Sequence, residues 1–281
     1  MKSSTSSVKK TVHKIETLSD LIATCLDEKN LVFDEVNLLQ DSLLTLIEIN
    51  SLVGQDCFKK SLVRHLMAVA SRKIGLRQNH DRNSGGKEEE EEEVICIVGE
   101  VGTGKTTIAK LVAECIVRMK RSVMVGRQKQ DELAGSASSH KEKNTVTTKK
   151  KKQNNKGEDG RIQYVIVHTA DLLPDVKMES NLSIIEACRK AGAVLILDST
   201  VAIGVNDPSD VRTAVRTIMD ELARHPVPTI IIADSTQDAI LEQHQGFSNR
   251  FSDNVFTTVP YTGSELEQIF RHLFKKNFDS T

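Results

Sequence analysis

Five apolar runs punctuate the chain: Val94–Val98, Ile162–Val167, Ala193–Leu197, Thr229–Ala233 and Val255–Val259. Each is short, continuous in its hydrophobicity and rich in β-branched residues, the pattern of strands buried on both faces of a parallel sheet. Between them the apolar positions return at helical spacing over residues 106–120, 181–190 and 209–224. The third of these has the clearest boundaries. Asp207-Pro208-Ser209 supplies a stop and a cap, Val211, Val215, Ile218 and Leu222 share one side, and Pro226 closes the segment. Strand and helix in alternation predict a three-layer αβα sandwich around a mostly parallel five-stranded sheet, with its ligand at the carboxyl ends of the strands.

Helical patterns also precede the first strand. One runs over Lys14–Cys25, and a second over Asp34–Ile49 places Val36, Leu39, Leu43, Leu46 and Ile47 on one face. A turn at Val53-Gly54-Gln55 then opens a long helix to about Ile74, packed through Phe58, Leu62, Leu66 and Ala70. The expected organisation is an N-terminal helical, partly disordered region over residues 1–50, a core over 51–275 and a tail over 276–281. Two low-complexity segments interrupt the core, at about 75–93 and 127–160. The first ends in Glu88–Glu93 and the second carries Lys149–Lys152, and neither holds enough apolar surface to offset the entropy of ordering it. The lysine run reads either as a nuclear import or anion-binding patch or as a solvated insertion; the second reading is favoured.

Composition adds mainly exclusions. Thirty-eight Lys and Arg against 39 Asp and Glu leave a net charge of −1, so no overall field draws the chain to nucleic acid or an anionic membrane. The five cysteines are scattered without a CxxC pair, as buried thiols in a reducing compartment would be, and no Cys/His spacing suggests zinc. The polar N-terminus lacks a leader-like apolar segment, and no apolar run approaches the roughly 18 residues of a membrane span. A cytoplasmic protein is expected, with a nuclear one as the alternative.

The chemistry begins where the first strand ends. Gly99-Glu100-Val101-Gly102-Thr103-Gly104-Lys105-Thr106 fits the phosphate-binding pattern GxxxxGK[ST] between a strand and a helix that starts at Thr107. Glycines let the backbone curl so that its N–H groups converge on phosphate oxygens, and the helix N-terminus adds a positive end. Lys105 would reach the β- and γ-phosphates and Thr106 would offer its hydroxyl to Mg²⁺, making the chain a P-loop nucleotide-binding protein with ATP or GTP as ligand. A second element, Ala191–Asp198, is an apolar strand ending in an acid able to hold the Mg²⁺ water shell. The residue after it, Ser199, can orient a water but accepts its proton poorly, where many ATPases of this architecture carry a Glu.

The order Leu52-Val-Gly-Gln, the phosphate loop, Thr169-Ala-Asp-Leu172, Ala191–Asp198, Ile230–Asp234, Gly246–Phe251 and Tyr261–Leu266 resembles the AAA+ ATPases, and within them the CbxX/CbbX branch of rubisco-activase-type remodellers. The resemblance implies ATP as the nucleotide and Arg250 as an arginine finger reaching a neighbouring subunit's γ-phosphate. It puts Ser235 or Asp234 at the position that helps place the attacking water, and Val53 and Gly54 against the adenine. It also implies a ring oligomer, typically a hexamer, that works on a protein client. Three departures stand against the family pattern: Ser199, Val176 where an aromatic pore-loop residue is usual, and a chain that stops at Thr281 with most of the helical lid missing. Three functions are therefore weighed: an ATPase that remodels a protein partner, a hydrolysis-poor ATP-binding subunit that assembles with a competent one, and, least favoured, a small-molecule phosphotransferase.

Overall fold

A computed structural model describes residues 15–27, 34–80, 94–135, 164–168, 178–199, 218, 220–234 and 254–278. Four helices come first: α1 (Leu18–Leu26), α2 (Asp34–Gln40), α3 (Leu43–Ser51) and α4 (Asp56–His80). Next in the chain are β1 (Val94–Val98), α5 (Lys105–Gly135), β2 (Tyr164–His168), α6 (Met178–Ala191), β3 (Val194–Ser199), β4 (Thr229–Ala233), β5 (Val255–Thr257) and α7 (Gly263–Phe278). The strands form one sheet in the order β2-β3-β4-β1-β5, and every pairing is parallel. All five predicted strands are present, with ends shifted by up to two residues.

Alternation along each strand feeds two cores. In β1, Ile95 and Ile97 join one apolar cluster while Val94, Cys96 and Val98 join another, and β3 and β4 divide in the same way. The first cluster is completed by side chains of α1 to α5, and the second by Ile185 and Cys188 of α6 with Ile218 and Leu222. Helices therefore cover both faces, which is what a sheet apolar on both sides requires. Phe58, Leu62, Leu66 and Ala70 are all fully buried, as their four-residue repeat predicts. Phe58 meets Phe256 of β5 edge to face at 5.9 Å, and Phe256 meets His65 at 5.5 Å.

Three expectations need correction. The helix predicted over Asp34–Ile49 is two helices, broken at Asp41-Ser42. Ser42 donates its hydroxyl to the Cys115 carbonyl at 3.3 Å, Arg118 reaches the Asp41 carbonyl at 3.4 Å, and Ser122 bonds the Asp41 carboxylate. These bonds to α5 hold the break and turn α3 relative to α2, so Ile49 is buried while Ile47 is 42% exposed. The other two concern the low-complexity segments, whose first residues are helical: α4 runs on to His80 and α5 to Gly135. Extending an existing helix adds a hydrogen bond for each residue fixed, so composition alone misplaces such an end. Glu88–Glu93 and Lys149–Lys152 lie outside the described residues.

Cys57 is exposed and the other four cysteines are buried. Burial pushes the Cys25 thiol up to about 11 and Cys96 to about 12, and raises Cys115 and Cys188 as well. The thiolate is the reactive form. A thiol reagent at mildly alkaline pH is expected to label one cysteine rapidly in the native protein and the other four only after denaturation; fast native labelling of several would contradict this packing. Truncating Phe58 to Ala should lower the unfolding free energy by about 3–5 kcal/mol in a denaturant titration.

Candidate functional site

The loop between β1 and α5 takes its shape from three glycines with positive φ: Gly99 at 149°, Gly102 at 86° and Gly104 at 82°. At Gly99 crowding adds to the backbone demand, because a Cβ there would collide with the Thr258 hydroxyl and stand 2.6 Å from its carbonyl oxygen. At Gly102 a Cβ would meet nothing within 4 Å, so the left-handed backbone alone calls for glycine. The loop is bonded from within and from the segment that follows β5. Thr103 Oγ1 lies 2.9 Å from the Glu100 carbonyl and 2.7 Å from Thr258 Oγ1, which in turn lies 3.1 Å from the Val98 carbonyl. Tyr261 donates its hydroxyl to the Thr103 carbonyl at 3.3 Å.

Behind the loop, the Val53-Gly54-Gln55 turn is tied to the same segment. Gln55 adopts a φ of 60°, is buried, and pairs its amide with the Val259 backbone, donating at 2.8 Å and accepting at 3.0 Å. Lys59 donates to the Asn50 and Leu52 carbonyls at 3.1 and 2.6 Å, satisfying the end of α3; its pKa is lowered, chiefly by burial. Gly54 faces Glu265 and Tyr261 closely enough that a side chain would strike the Glu265 carboxylate. Glu265 accepts from the Thr262 backbone N–H and hydroxyl, both at 2.7 Å, and Thr262 Oγ1 accepts from Glu265 N at 3.3 Å, a capping box that starts α7. Those bonds hold the Glu265 carboxyl below its usual range.

The charged groups meet at the mouth of the loop. Lys105, 5% exposed, donates to the Gly99 carbonyl at 2.9 Å and the Glu100 carbonyl at 2.6 Å, and pairs with Asp234 Oδ1 at 2.5 Å. Thr106 donates to Asp198 Oδ2 at 3.1 Å. The sheet makes this meeting possible: Asp198, the penultimate residue of β3, lies beside Ile232 of β4, and β4 in turn lies beside β1. Hydroxyl and carboxylate together are hard oxygen donors of the kind that could hold Mg²⁺.

Of the residues singled out in the sequence, Gly99 to Thr106, Asp198 and Asp234 converge here, with Thr107 in the first turn of α5. Ser199 closes β3 opposite Ala233. Gly54 lies against Tyr261 and Glu265, and Val53 precedes it in the same turn. Ser235, Arg250, Val176 and the Thr169–Leu172 segment fall outside the described residues. Sequence reasoning missed His168. It closes β2 in register with Asp198, and its Nδ1 lies 3.9 Å from Asp198 Oδ2. It also missed the part of Thr258, which no local pattern distinguishes from other strand-end threonines.

A parallel sheet of this order, carrying a glycine loop between the interior strand β1 and the next helix, is a P-loop fold. Among solved structures, the chain is similar to the crystal structure of the DnaC helicase loader, with 15% sequence identity, 70% of this chain and 90% of that chain covered, and a TM-score of 0.32. No family model matches the sequence, and no curated protein matches it. At that level of similarity the fold rests on the sheet order and the loop geometry. Replacing Gly99 by Ala is expected to lower stability by more than about 1 kcal/mol in denaturant unfolding, since positive φ and the Thr258 backbone oppose the added methyl together. An unchanged midpoint would mean that the loop does not close on Thr258.

Proposed function

We propose that this chain is an AAA+ type protein that binds Mg·ATP through Gly99–Thr107, with Lys105 on the β- and γ-phosphates and Thr106 and Asp198 on the metal side. The observation that carries the reading is the pairing of Thr106 with Asp198 beside the buried Lys105. A phosphate loop and an acidic strand end far apart in sequence meet at hydrogen-bonding distance, the arrangement needed to hold a metal against phosphate oxygens. Bound Mg²⁺ would neutralise phosphate charge, while the loop amides and Lys105 orient the anion.

Hydrolysis coupled to remodelling of a protein partner, within a homo-oligomeric ring to which Arg250 contributes in trans, is the reading that the AAA+ resemblance supports. On α7, Leu266, Phe270, Leu273 and Phe274 are each more than half exposed, an apolar stripe of a kind that assemblies bury. Ser199 favours a second reading, a hydrolysis-poor subunit that binds ATP and assembles with a competent AAA+ partner. With a hydroxyl where a carboxylate would accept the water's proton, binding and turnover come apart.

Calorimetric titration with Mg·ATP, run beside a phosphate-release assay, tests both readings. The wild type is expected to bind and Lys105→Ala to lose binding by at least about 100-fold, as removal of a charged phosphate contact implies. Slow wild-type turnover that rises on Ser199→Glu supports the hydrolysis-poor reading, and turnover that falls with Arg250→Ala supports the ring ATPase. Absence of nucleotide binding by the wild type would overturn both.

A further inference from the structure

A lysine ammonium has three N–H donors. Among the described residues, three oxygens lie within reach of Lys105: the Gly99 carbonyl, the Glu100 carbonyl and the Asp234 carboxylate. Two are neutral and belong to the loop. The third carries a full charge and enters from outside it. With side-chain exposures of 5% and 14%, the Lys105–Asp234 pair is largely shielded from water, so its attraction is not diluted as that of a surface pair would be.

Sheet register fixes where this carboxylate stands. Val98 lies opposite Ala233, and Gly99 N donates to the Ala233 carbonyl at 3.3 Å, so Asp234 is delivered to the edge of the loop as β4 ends. Any phosphate oxygen that binds Lys105 must take the place of one of the three acceptors. The two carbonyls are held by the loop backbone, whereas the Asp234 side chain can rotate aside. Even then its charge stays close to the incoming anion. A phosphate enclosed by the loop amides would be compensated by them, whereas a further phosphate bound by Lys105 would add negative charge beside Asp234.

We propose that Asp234 is a specificity-determining residue that competes with the terminal phosphate for Lys105, biasing the site toward nucleoside diphosphate over triphosphate. The inference deepens the reading of the loop as a nucleotide site and rests on it. Removing the charge while keeping the shape is the direct test. Affinities for Mg·ATP and Mg·ADP are measured by calorimetry on the full chain for the wild type, Asp234→Asn, Asp234→Ala and Lys105→Ala, with thermal melts as the check on folding.

Both Asp234 variants should bind Mg·ATP about tenfold more tightly, the size of one charge-assisted hydrogen bond, and Mg·ADP with a gain under about threefold. Unchanged or reduced preference for ATP in the folded variants overturns the proposal, whatever the absolute affinities. If the wild type binds both nucleotides through Lys105 while the preference does not move, the proposal alone falls. If no variant binds either nucleotide, the reading of the loop falls with it.

Discussion

Everything at the site depends on how β1 is held. This strand is buried along its whole length, pairs in parallel with β4 on one side and β5 on the other, and ends at Val98, where the glycine loop begins. Register on the β4 side brings Asp234 to Lys105. Register on the β5 side brings Thr258 against Gly99 and into contact with Thr103. A slip of one residue in either pairing would reverse which side chains face which core. The two apolar clusters on opposite faces of the sheet thus fix the position of a loop that contributes little hydrophobic burial of its own.

The segment after β5 gives the loop a second support. Gln55 pairs with Val259 much as a neighbouring strand would, Tyr261 holds the Thr103 carbonyl, and the capped start of α7 stands over Gly54. The turn before α4 and the beginning of α7 are therefore coupled through short polar contacts to the loop. Among the side chains described, the exposed apolar ones of α7 form the largest such group on any one helix.

How much of this could be read from the sequence depends on the range of each signal. The strands, the buried face of α4 and the phosphate loop are encoded locally, by β-branched runs, a four-residue repeat and glycines where φ must be positive. Asp198 could be picked out because an acid closing an apolar strand has meaning once a phosphate loop is known. The break at Asp41-Ser42 could not, since it is held by Cys115, Arg118 and Ser122 of a helix more than 70 residues away. His168 and Thr258 owe their places to strand register, which no local pattern reports. Composition marked residues 127–135 as part of a solvated insertion, yet a helix already nucleated at Lys105 carries through them.

As a nucleotide site, the Gly99–Thr106 backbone would receive a phosphate anion while Thr106 and Asp198 would hold its metal. Hydrogen–deuterium exchange with and without Mg·ATP addresses this most directly, because it reads the loop amides themselves. Nucleotide should slow exchange in peptides spanning Gly99–Thr107 and in those holding the ends of β3 and β4. Protection confined to other parts of the chain, or none at saturating nucleotide, would contradict the account.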